Sequence, residues 1–188
     1  MKSRPDHPPY DIEAAVTHLR AADPKLAPLL DRVGPCGIRC NPLGDPYHAL
    51  LESIVYQQLN GRAAATIYGR VCALFSAKRK PRPLEIVEAP PELLRGAGLS
   101  NAKMLAVKDL STKALAKQIP TAARMARMSD QEIVAALTQV RGIGSWTVEM
   151  LLIFGLGRPD ILPATDFGVR KGFALTYRKR ELPAPKAL

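Results

Sequence analysis

The chain has 188 residues, 47% of them hydrophobic, enough for one domain or two small lobes around a shared core. Lysine and arginine number 27 against 17 aspartates and glutamates, a net charge of +10 that favours a polyanionic partner such as nucleic acid. Cys36, Cys40 and Cys72 form no C-x-x-C pair, Met1–Asp6 holds no apolar secretory core, and no apolar run nears the ~18 residues of a membrane span, which argues against disulfide-framework, zinc-ribbon, secreted and membrane classes. His7, His18 and His48 are scattered without metal-ligand spacing and read as surface or packing residues.

Apolar periodicity is helical nearly throughout. Residues 10–33 read as two short helices punctuated by Pro24. Residues 46–59 place Tyr47, Leu50, Leu51, Ile54, Val55 and Leu59 on one stripe, with Pro46 in the first turn and Asp45 or Gly44 as cap. A polar end follows, Gln57-Gln58-Leu59-Asn60, with Gly61 suited to the C′ position. Residues 62–75 continue with Ala64, Ile67, Val71, Leu74 and Phe75. Lys78–Arg82 is a basic loop, read as a solvated turn, and Pro81, Pro83, Pro90, Pro91 and Pro120 punctuate the helices. Residues 101–118 read as a helix capped by Asn101. Ser129-Asp130-Gln131-Glu132 is a capping box that opens a helix carrying Ile133, Val134 and Leu137. After Gly144 the stripe resumes with Trp146, Thr147, Met150, Leu151 and Phe154, until Pro159 and Pro163 break it. A last helix starts near Thr165 or Asp166 and carries Val169 and Phe173. Nothing reads as paired strands, so the expected class is all-α.

Three stretches could carry chemistry. Val140-Arg141-Gly142-Ile143-Gly144 is a tight turn between helices. Gly142 and Gly144 can take φ > 0 and lack Cβ atoms, and a helix begins at Gly144, whose N–H groups and dipole favour an anion. A DNA phosphate suits this surface, and the carbonyls of Val140 and Gly142 could share it with a bridging monovalent cation. An ordinary helical hairpin fits the glycines equally well. Asp166, on a Pro-bounded loop before a helix, is explained by capping alone, although capping and catalysis by one carboxylate are compatible. Trp146 could fill the core or stack an extruded base. Gln58 and Asn60 flank Leu59 at a helix end, where amides can bond base edges and leucine can wedge into a stack.

Together these residues resemble the helix-hairpin-helix (HhH-GPD) DNA glycosylase superfamily, nearest its DNA-3-methyladenine glycosylase II (AlkA-type) branch. The carrying stretches are Ser53–Ala64, Leu93–Ser100 with Lys103, Val140–Met150 and Asp166–Gly172. The resemblance covers roughly residues 10–187. It implies a two-lobed all-α fold with a cleft between lobes, organised as one domain over 1–188. That domain comprises an N-terminal lobe segment 10–45, a central lobe 46–160 with the hairpin at 129–155, and a return segment 161–188 that carries the catalytic Asp and lacks the usual last helix.

The implied activity is that of a monofunctional glycosylase. It flips alkylated bases of the 3-methyladenine and 7-methylguanine type out of duplex DNA and hydrolyses their N-glycosidic bond in base-excision repair. By the same resemblance Asp166 is catalytic, and Trp146, Tyr56 and Met150 line the base pocket. Gln58, Leu59 and Asn60 form the wedge and minor-groove contacts, and Arg141, Gly142, Ile143, Gly144 and Ser145 grip a phosphate. Relatives that cut the strand carry a lysine where Trp146 stands. The four-cysteine iron–sulfur loop of other relatives is absent, so neither cofactor nor catalytic metal is expected. The expected partner is double-stranded DNA, with no membrane, for a monomer in the cytoplasm at the nucleoid, or in a eukaryotic nucleus. The alternatives are a non-catalytic helix-hairpin-helix DNA-binding module and a glycosylase for another damaged base such as hypoxanthine.

Overall fold

The computed structural model describes residues 7–76 and 78–188. Met1–Asp6, read above as lacking a secretory core, lies outside the described residues. Among the described residues all regular structure is helical. The helices are α1 (Ile12–Ala22), α2 (Ala27–Val33), α3 (Pro46–Tyr56), α4 (Gly61–Ala73), α5 (Pro83–Glu88), α6 (Pro91–Gly96), α7 (Asn101–Leu115), α8 (Ala122–Met125), α9 (Asp130–Leu137), α10 (Ser145–Met150) and α11 (Phe167–Thr176). A π-helical stretch, Leu151–Leu156, continues from α10, and a 3₁₀ turn, Pro185–Ala187, follows α11. No helix among the described residues is long and apolar enough to cross a membrane. The chain forms two compact units: Leu43–Val148, and a second built from the residues up to Pro42 together with Glu149–Leu188.

The Leu43–Val148 unit is organised on α7, against which α3, α5 and α6 pack. Met104, Val107 and Leu110 of α7 are buried, as are Leu50, Leu51, Ile54 and Val55 of α3, Ile86 of α5 and Leu94 of α6. Each such side chain taken fully out of water contributes about 1.5–3 kcal/mol. The Tyr47 hydroxyl lies 2.9 Å from Ser111 Oγ in this core, and burial pushes the phenol up to about 12. Lys108 Nζ donates to the carbonyls of Val87 (2.9 Å) and Ala89 (2.7 Å), closing the end of α5 with a cation.

Asp45 caps α3 by accepting the Tyr47 N–H at 3.0 Å. The helix stops at Tyr56, although the stripe suggested continuation to Leu59, because the chain turns extended at Gln57 and left-handed at Gln58 (φ 55). Gly61 is not a C′ residue. It is the first residue of α4, because the Asn60 side chain accepts the Ala63 N–H at 2.9 Å and starts a new helix. Similarly Ser100, not Asn101, caps α7, its hydroxyl accepting the Lys103 N–H. Helices α5 and α6 arise where the sequence showed only prolines, since Pro83 and Pro91 sit in first turns that need no N–H donor there. In the basic loop, Arg79 and Arg82 pair with Glu85, and Arg79 holds that carboxyl well below the usual carboxylate range.

In the other unit α1 packs on α2. The Tyr177 hydroxyl donates to Asp23, and the Phe173 and Tyr177 rings stack with centroids 4.3 Å apart. Gly157 ends the π-helical stretch at φ 66, where a Cβ would fall 2.5 Å from Pro9 Cδ. The Cys40 thiol points to the Ile153 carbonyl at 3.5 Å, and Arg170 Nε donates to the Pro183 carbonyl at 2.8 Å. Cys36, Cys40 and Cys72 are free thiols.

Candidate functional site

In the Leu43–Val148 unit the hairpin opens with a reciprocal capping box: Glu132 accepts the Ser129 N–H at 2.7 Å and Ser129 Oγ accepts the Glu132 N–H at 3.2 Å. After α9 the buried side chains of Val140 and Ile143 plug the turn into the core, and the Ile143 N–H donates to the Val140 carbonyl at 3.0 Å. Only Gly142 of the two turn glycines takes a positive φ (78); Gly144 does not, and α10 begins one residue later, at Ser145. A Cβ on Gly144 would meet nothing within 4 Å, so the backbone there faces open space. Arg141, Gly142 and Gly144 are exposed and Ser145 is half-buried.

A carboxylate holds this turn from behind. Asp109 Oδ2 accepts the Arg141 backbone N–H at 2.7 Å while Oδ1 accepts Lys113 Nζ at 2.5 Å. Burial works against ionisation of Asp109, but these donors prevail and keep its carboxyl below the usual range. The two carbonyls considered for a monovalent cation each already accept one hydrogen bond, Val140 from Ile143 and Gly142 from the Gln57 side-chain amide at 2.9 Å. Among the described residues no cluster of histidine, cysteine or carboxylate side chains could hold a metal ion.

The α3–α4 junction is brought against this hairpin. Gln58, Leu59 and Asn60 are exposed, Leu59 at 39%, and Lys103 Nζ donates to the carbonyls of Val55 and Gln57, both at 2.7 Å. Tyr56 is half-buried, edge-on to Tyr68 with centroids 6.3 Å apart. Trp146 does not fill the core: it is 45% exposed on the first turn of α10, while Thr147 and Val148 beside it are buried.

In the other unit Asp166 occupies the N-cap of α11. Its N–H donates to the Pro163 carbonyl at 2.9 Å, and its Oδ1 accepts the Val169 N–H, also at 2.9 Å. The helix N-terminus behind it favours a negative charge. Space is tight beside it, because a Cβ on Gly168 would stand 3.0 Å from Asp166 Oδ1 and the carboxylate would have to give by a few tenths of an ångström. Met150 is half-buried. Its neighbour Glu149 was not singled out in the sequence: Oε2 is buried without a hydrogen-bond partner among the described residues, and burial pushes the carboxyl up.

Gln57, Lys103 and Asp109 were not assigned roles from the sequence either. The available signal was charge on an apolar stripe: Lys103 lies on the face of α7 that carries Val107 and Leu110 at i+4 and i+7. Their partners lie tens of residues away, which local pattern does not reveal.

Residues 51–188 match the family model described as HhH-GPD superfamily base excision DNA repair protein. The chain belongs to this superfamily. Every residue nominated above lies within the HhH-GPD match. DNA-3-methyladenine glycosylase 1 of Schizosaccharomyces pombe is 37% identical over 74% of this chain and 61% of its own length. The alkylbase DNA glycosidase-like protein mag2 of the same organism is 35% identical over 83% of this chain and 74% of its own. The solved structure of the S. pombe 3-methyladenine DNA glycosylase Mag1 in complex with abasic DNA superposes with a TM-score of 0.78 at 33% identity, covering 93% of this chain and 85% of that one. The chain thus spans 61% of the length of the first of these relatives.

Proposed function

We propose that the chain is a monofunctional DNA glycosylase that extrudes alkylated purines of the 3-methyladenine and 7-methylguanine type from duplex DNA and hydrolyses their N-glycosidic bond in base-excision repair. The observation that carries the reading is the carboxylate of Asp166, half-buried at the N-terminus of α11 and oriented by the Val169 N–H, within the family match. The names of the relatives point to the same substrate class.

In this reading the backbone of Arg141–Ser145 grips a phosphate, and Leu59 enters the stack with Gln58 and Asn60 beside it. The extruded base meets the π face of Trp146, with Tyr56 and Met150 as further pocket residues. An alkylated purine already carries positive charge, so it departs as a neutral base when the C1′–N bond breaks and takes the bonding pair. Asp166 stabilises the oxocarbenium-like sugar and orients the water whose oxygen bonds to C1′, and the water's proton passes to the carboxylate or to solvent. Trp146 stands where a Schiff-base lysine would be needed, so the strand stays intact and an abasic site is left. Segments 10–45, 46–160 and 161–188 work as one domain, as a monomer, in the compartment that holds the DNA.

The reading is tested on duplex DNA treated with a methylating agent. Free 3-methyladenine or 7-methylguanine, with abasic sites left uncut, is the expected product. Duplex binding with no base released above the protein-free control would overturn it.

A further inference from the structure

Within that reading, we infer that Lys103 and Gln57 are positioning residues: together they fasten the Leu59 wedge to the phosphate-gripping hairpin, so that seating a phosphate also presets the wedge. Gln57 is held at both ends. Its backbone carbonyl accepts Lys103 Nζ at 2.7 Å, and its side-chain amide donates to the Gly142 carbonyl at 2.9 Å. Lys103 also takes the Val55 carbonyl at 2.7 Å, so one ammonium closes the last turn of α3.

The residue next to this clamp, Gln58, has φ 55, a left-handed conformation that a glutamine keeps only when its surroundings over-determine it. The hairpin end of the link is Gly142, also left-handed at φ 78. One side chain therefore joins the two irregular backbone points on which the wedge loop and the phosphate turn depend. On the far side Asn60 anchors the loop by capping α4. Leu59, between these anchors, is exposed. A wedge ordered before it meets DNA loses less conformational freedom on insertion, and binding free energy is used for extrusion instead.

The test is a double-mutant cycle on the full chain. Lys103→Met removes the ammonium, and Gln57→Glu replaces the amide donor with an acceptor that the Gly142 carbonyl rejects. Each is combined with Leu59→Ala, and Lys103→Arg serves as the conservative variant that restores donors. Two duplexes are used, one intact and one carrying a tetrahydrofuran abasic analogue, with 2-aminopurine opposite the analogue to report unstacking. Measured against its own affinity for intact duplex, each of Lys103→Met and Gln57→Glu should lose ~tenfold of its preference for the abasic duplex, with a weaker 2-aminopurine signal. Adding Lys103→Met or Gln57→Glu to Leu59→Ala should cost nothing further, and Lys103→Arg should recover part of the preference. Additive losses with Leu59→Ala, or an unchanged abasic preference in both single variants, would overturn the inference. Because the cycle is read in binding and unstacking, it decides the role of Lys103 and Gln57 whether or not base is released; base release decides the glycosylase reading separately.

Discussion

Asp166 caps α11, and in the proposed function the same side chain is the catalytic carboxylate. It starts α11 through the Val169 N–H, and the same hydrogen bond fixes the direction of the carboxylate. Gly168 protects that direction, so Gly168→Ala should push a methyl group against Oδ1 from a starting separation of 3.0 Å. A displacement of even part of an ångström at a reacting group is costly, and single-turnover base release should fall by ~10-fold or more while the thermal unfolding curve stays close to wild type. Glu149 gives a prediction of a different kind. Burial raises its carboxyl above the ordinary value, so the native state favours the protonated form. Its stabilising contribution is full below the unfolded pKa of about 4.3 and is lost as pH rises through the higher folded value. Glu149→Gln, neutral at every pH, should therefore raise the unfolding temperature at pH 7 to 8, and the gain should vanish near pH 4. A lower unfolding temperature at pH 7 would show that the charged form is the stabilised one. The capping position of Asp166 was legible in the sequence from a proline-bounded loop before a helix, whereas its catalytic role came from the family resemblance alone and stands as a proposal. Trp146 was ambiguous, since a lone tryptophan on an apolar stripe looks the same whether buried or, as here, 45% exposed.

At the scale of elements, the hairpin is a turn held from two sides, by Asp109 on the Arg141 N–H and by Gln57 on the Gly142 carbonyl. Asp109→Ala would remove that hydrogen bond, whose net contribution at this exposed turn is about 0.5–1.5 kcal/mol. The turn should loosen and duplex affinity should fall about tenfold, as one 1.4 kcal/mol step implies, which a fluorescence anisotropy titration reads directly. Unchanged affinity would mean that the turn keeps its shape without Asp109. The helices that frame this turn were legible, because the capping box at Ser129 and the stripe of α9 are local. The end of α3 was not. Leu59 extends the apolar stripe of Leu51 and Val55, so periodicity continued the helix, whereas the Asn60 cap and the Lys103 clamp end it at Tyr56. The short helices α5, α6 and α8 escaped because a helix of one or two turns shows too few repeats for a period to emerge.

For the molecule as a whole, the proposed function gives the net charge of +10 the task of finding DNA. Phosphate contacts should supply most of the affinity, so binding to undamaged duplex should weaken at least ~10²-fold between about 50 and 200 mM salt. Affinity indifferent to salt would contradict a phosphate grip by the hairpin and its basic surroundings. The family was legible from the order of motifs along one chain, each weak alone and specific together. The division into compact units was less so, since one unit is assembled from the two ends of the chain around the Leu43–Val148 middle, a pairing that no local pattern encodes. The most direct test of the account is release of methylated base from alkylated duplex DNA by the wild type and by Asp166→Asn, an isostere that can still cap α11 but carries no charge. The account predicts free 3-methyladenine or 7-methylguanine from the wild type and a loss of ~10²-fold or more in the variant, with duplex binding retained. Equal release by both proteins would remove Asp166 from the chemistry, and release by neither would leave a chain that binds DNA without cleaving the glycosidic bond.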